Sequence, residues 1–100
     1  MSDLLAIFGP AGSDAELVAA IAVYRPDRVT VLIEDDDPNR LNEDSDAGVA
    51  LRDRLAGLMG EIEHSSGATV VGMAGDRSQV EGWRFDRELT PHLSIQAVAA

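Results

Sequence analysis

One hundred residues suffice for one domain with a real core, and an apolar share of 45% is that of a globular chain, not a disordered one. The formal net charge is −10, from 18 acidic residues against 8 basic ones, all arginine; such a chain repels nucleic acid and anionic membranes, and it offers no lysine for Schiff-base or phosphate-loop chemistry. The absence of cysteine excludes disulfides, thiol catalysis and thiolate metal sites together, and with neither a basic leader nor a run of about 20 apolar residues the expected setting is the cytoplasm.

Leu4–Phe8 is an unbroken apolar run, the pattern of a strand covered on both faces. Gly9-Pro10 breaks it, and Ser13 with Glu16 forms a capping box that starts a helix over Asp14–Tyr24. Leu17, Val18, Ile21 and Ala22 mark its buried face. A strand, a glycine turn and a helix N-terminus can cradle an anion with free amides. The same residues also make a plain tight turn, and Asp14 and Glu16 already place negative charge at that helix start. Pro26 stops the helix, and Val29–Ile33, β-branched and apolar, is the best strand in the chain. Strand, helix and strand make a right-handed parallel βαβ unit.

Glu34-Asp35-Asp36-Asp37 follows. A cation site would want carboxylates spaced around a looping backbone. A straight run of four reads better as a solvated loop, the alternative being a weak cation site shared with Asp44 or Asp46. A second, longer helix is expected from Ser45 or Asp46 to His64. Leu51, Leu55, Leu58 and Ile62 form its buried stripe, Met59 lies beside it, and Arg52, Asp53, Arg54, Glu61 and Glu63 face away. Gly57 and Gly60 each cost about 1 kcal/mol relative to alanine, which suggests close approach to the sheet or to a partner helix. His64 reads as a surface residue, and Gly67 closes the helix in the left-handed conformation.

Ala68–Ala74 is the third strand, followed by Gly75-Asp76-Arg77. Ser78 and Glu81 form a second capping box, which predicts a third helix through about Leu89, weakened by Gly82. Trp83 and Phe85 are two apart and cannot share a helical face, so either the segment is irregular or one ring points outward as a subunit contact. Thr90-Pro91 ends the element. Leu93–Val98 alternates apolar and polar, as a half-exposed edge strand does.

The βαβαβαβ order implies a single α/β domain over residues 1–100, a small open, mostly parallel sheet of about four strands with helices on both faces. A ligand in such a sheet belongs at the carboxyl ends of the strands, here strands 1 and 3. Gly9, Gly12 and Ser13 would supply backbone and hydroxyl contacts, with Asp76 and Arg77 opposite. Trp83, Phe85, Leu93 and Ile95 are the candidate interface residues. No catalytic set emerges: Ser13 and Ser78 read as caps, and His64 and His92 have no companions in sequence. The expectation is a non-enzymatic chain without metal or cofactor.

Arg28–Ile33, the acidic loop, the helix around Leu51–Ile62, and Gly67–Gly72 with Gly75-Asp76 resemble the first half of a universal stress protein over residues 4–76. The resemblance implies a flavodoxin-like or Rossmann-like sheet with strand order 3-2-1-4, frequent homodimers, a regulatory or stress-response role, and in some members bound ATP. The ATP-binding motif is missing: strand 1 ends in Phe8-Gly9-Pro10, not an aspartate, and no glycine follows Gly82. Ala22–Val29 is also similar to the helix-to-strand junction of Rossmann-type nucleotide sensor domains of CRISPR-associated proteins, which bind cyclic oligoadenylate across a dimer interface. The expected partners are therefore a second copy and, as a possible ligand, a small molecule or nucleotide, with no nucleic acid and no membrane. The alternative is a structural protein–protein interaction module that uses Trp83, Phe85 and the 93–98 strand.

Overall fold

The computed structural model describes residues 2–9, 14–37 and 39–90. Four strands, β1 (Asp3–Phe8), β2 (Arg28–Glu34), β3 (Thr69–Gly75) and β4 (Arg87–Leu89), alternate with two helices, α1 (Asp14–Tyr24) and α2 (Asp46–Ser66), and with short 3-10 turns at Arg40–Asn42 and Arg77–Val80. The sheet has the order β3-β2-β1-β4 and every pairing is parallel. Leu4 lies beside Val29 and Arg87, and Val29 beside Val70, so alternate residues of all four strands share a face.

One face carries Leu4, Ala6 and Phe8 of β1 with Val29, Val31 and Ile33 of β2, and both α-helices cover it. Leu17, Val18 and Ile21 come down from α1, and the stripe Leu51, Leu55, Leu58 and Ile62 comes from α2. The opposite face presents Leu5, Ile7 and Leu32, covered by Val80 and flanked by Met73 and Phe85. Connection handedness accounts for the split. The chain steps one way through β1, β2 and β3, so both right-handed crossovers place their helices on the same side. From β3 it must return past β2 and β1 to reach β4, and a right-handed return lies on the other side. No α-helix makes that return.

Here the structure corrects the expected third helix. Only Arg77–Val80 is helical, as a single 3-10 turn, and Glu81 is already extended at φ −62, ψ 130. Asp76, not Ser78, caps the turn, its side chain accepting from the Ser78 amide at 3.0 Å. Gly82 at φ 87 then turns the chain away. The segment that was to complete the helix becomes β4, so the fourth strand is Arg87–Leu89 at the edge beside β1. The edge strand expected over Leu93–Val98 lies outside the described residues.

α2 starts where Ser45 Oγ accepts from the Gly48 amide at 3.1 Å and ends at Gly67, at φ 72, whose amide donates to the Glu63 carbonyl. Its close approach to the sheet is made at Gly72 on β3. A Cβ there would stand 2.5 Å from Met59 Sδ and 2.9 Å from Leu55 Cδ1. Gly57 and Gly60 do not serve that purpose, since a Cβ at either meets nothing within 4 Å. Two arginines expected to face away from the core are tied down. Arg54 forks onto Asp14 at the start of α1, at 3.0 and 2.7 Å, and Arg52 Nη1 donates to the carbonyls of Leu41 and Glu43 at 2.7 and 2.8 Å.

Candidate functional site

Asp76 and Arg77, which follow β3, border two neighbouring hollows. The first is a crevice of about 570 Å³ at the carboxyl ends of β2 and β3, lined by Glu34, Asp35, Asp36, Gly75, Asp76 and Arg77. Asp76 and Arg77 were expected at the end of strand 3, opposite the Gly9–Ser13 turn; here they face Glu34 and the acidic run after β2 instead. Arg77 Nε and Nη2 each donate to a Glu34 carboxylate oxygen at 3.2 Å. That hydrogen-bonded pairing raises the guanidinium pKa above its ordinary value.

The acidic run beyond β2 is folded rather than splayed. Asp35 Oδ1 accepts from the Asp37 amide and from Arg40 Nε, both at 2.9 Å, and Asp37 Oδ1 accepts from the Asn39 amide at 2.9 Å. Arg40 Nη2 also reaches Asp36 at 3.3 Å. The Asp37 amide, with Arg40 in support, holds the Asp35 carboxyl below its ordinary pKa. Both arginines near the crevice thus already hold carboxylates, and the lining keeps an excess of negative charge. Phosphate recognition wants uncommitted cations or amides. Among the described residues no three histidine or acidic side chains converge as metal ligands would.

The proposed contacts from the first turn do not join this crevice. Gly9 lines neither hollow, and β2 stands between β1 and β3 in the sheet. Gly12 and Ser13 lie outside the described residues.

The second hollow is a groove of about 430 Å³ on the face opposite the helices. Leu5 and Ile7 of β1 form its floor with Val80 and Phe85, and Trp83, Glu81, Glu88 and Asp76 stand around it. Trp83 is 52% exposed, large for the only tryptophan of the chain. Its ring leans on Phe85, centroids 6.4 Å apart at 34°, a tilted arrangement favoured by ring quadrupoles. The irregular backbone resolves the helical conflict between the two rings: Phe85 packs on the sheet and Trp83 turns outward. Leu93 and Ile95, the other expected interface residues, lie outside the described residues.

Glu81 and Glu88 were missed as lining residues, and Glu34, weighed only as part of a possible cation site, was not expected to pair with Arg77. Glu34 follows the best strand of the sequence, at the end where ligands gather in such sheets. Glu81 and Glu88 were hidden inside the mistaken helix. His64 stands exposed in the last turn of α2, away from both hollows.

No helix among the described residues is long and apolar enough to cross a membrane. Compared with protein-family models, with curated proteins and with solved structures, the chain finds no match in any of the three.

Proposed function

We propose that the chain is a non-catalytic interaction domain whose contact face is the groove framed by Trp83 and Phe85. The observation that carries this reading is the outward Trp83 ring beside an apolar floor, bordered by β1 and β4. Tryptophan is also enriched, with tyrosine and arginine, among the residues that anchor protein interfaces.

The universal stress protein-like reading, a homodimeric regulatory domain that binds a small molecule, is second. Strand order β3-β2-β1-β4 favours it, and the committed arginines and crowded carboxylates of the crevice weigh against a nucleotide.

Sedimentation equilibrium combined with acrylamide quenching of Trp83 separates the two. The interaction reading expects a red-shifted, readily quenched tryptophan in whatever free species is present at low concentration. A monomer whose tryptophan is blue-shifted and protected overturns it. Stabilisation against heat by a nucleotide at millimolar concentration would instead move the function to the crevice.

A further inference from the structure

We infer that the groove receives an arginine side chain from a basic segment of a partner protein. The inference rests on the contact face proposed above and names what it contacts. The groove joins two chemistries that together select an organic cation. Trp83 offers an exposed aromatic face, with Phe85 closing one side, and a cation over an indole is drawn to the negative face of the ring. Asp76, Glu81 and Glu88 supply three carboxylates around the same space. Arg77, the one cation among the described lining residues, is turned to Glu34 by two hydrogen bonds of 3.2 Å, so these residues leave the groove a net negative charge. An anion or a purely apolar segment would leave those carboxylates uncompensated.

Arginine suits the site better than lysine. Its flat guanidinium can lie on the indole while its edge forks onto a carboxylate, whereas an ammonium is a compact, strongly hydrated point charge. The molecule shows the same stacking elsewhere: Arg87 places Cζ 4.2 Å from the centre of the Tyr24 ring. A chain of net charge −10 also attracts basic partners at a distance, and the groove gives that attraction a place to dock.

The test uses a fluorescein-labelled Gly-Arg repeat peptide, read by anisotropy and by Trp83 emission at moderate salt. Binding should quench or shift Trp83 emission. Trp83→Ala should weaken binding about tenfold, and Trp83→Phe less, as expected for loss of a desolvated cation–π contact. The pair Glu81→Gln/Glu88→Gln should weaken it about as much, while Glu61→Gln/Glu63→Gln, the same charge change on α2, should stay within about twofold. A Gly-Lys peptide should bind several-fold more weakly than the Gly-Arg peptide.

Equal losses from the two charge-matched pairs would show diffuse attraction and overturn the inference. So would free arginine amide binding as tightly as the peptide, since the occupant would then be a small molecule. A dimer abolished by Trp83→Ala overturns it too, because a second copy would be the occupant, although the interaction face would stand. A tryptophan open to acrylamide with no peptide binding likewise sinks the arginine inference alone, while a protected tryptophan in the monomer sinks the contact face itself.

Discussion

The two faces of one sheet have been finished differently. On one, fifteen buried residues from three strands, both helices and the segment before β3 make a continuous core. On the other, among the described residues, three buried strand residues, Leu5, Ile7 and Leu32, lie under Val80 of a short turn and an extended stretch, with Val71 36% and Trp83 52% exposed. The strands are apolar on both faces, so the sequence demands cover on both. Topology supplies two helices to one side and a single non-helical return to the other. The contrast teaches that, among the described residues, connection handedness and not residue content decides which apolar face receives the α-helices.

The contrast can be broken most directly by truncating one residue on each side. Ile62, fully buried at the foot of the α2 stripe, should cost about 2–5 kcal/mol as Ile62→Ala. Trp83→Ala should cost about 1 kcal/mol or less, because half of its ring is already in water. Urea unfolding of the two variants measures the difference, and equal losses would mean that the second face is as tightly built as the first.

A smaller pair sharpens how closely α2 is seated. Gly72→Ala should destabilise by about 1–2 kcal/mol, since the added methyl forces Met59 and Leu55 to move. Gly57→Ala should stabilise by up to about 1 kcal/mol, the helix-propensity gain at a position with open space. Melting temperatures that moved in the same direction would contradict the packing described.

The smallest effect concerns the acidic turn beyond β2. The Asp37 amide and Arg40 lower the pKa of Asp35. Its contribution to stability is therefore complete above the ordinary aspartate pKa of about 3.9 and is lost as pH falls through the lower folded-state value. Arg40→Gln removes part of that contribution. The stability gap between wild type and Arg40→Gln should hold near neutrality and narrow in acid, as followed by urea midpoints against pH.

The three long strands and both helices were legible because each rests on a signal spread over many residues. The strand order was only what the resemblance to universal stress proteins implied, since no local pattern says which strands are neighbours. Leu4–Phe8 and Val29–Ile33 are runs that only a covered sheet accommodates, and the four-three-four spacing of Leu51, Leu55, Leu58 and Ile62 admits one periodicity. The third helix misled because Ser78 and Glu81 are a two-residue signal, competent to start a helix but silent on how far it runs. Asp76 took the cap and Gly82 turned the chain after one turn. At the site, Asp76 and Arg77 could be placed from the end of β3. The pairing of Arg77 with Glu34 could not, because it joins residues 43 apart through the register of two strands.

That register has a consequence for how the molecule assembles. β1, β2 and β3 meet neighbours in chain order, whereas the seam between β1 and β4 ties Asp3 to Asp86, whose carboxylate accepts the Asp3 amide at 2.8 Å across 83 positions. That contact joins the two most distant segments of the sheet in sequence, and it forms only after the Gly75–Arg87 connection has crossed β2 and β1. A chain that has paired β1, β2 and β3 but not yet β4 would leave the β1 edge open and Leu5 and Ile7 bare beside it.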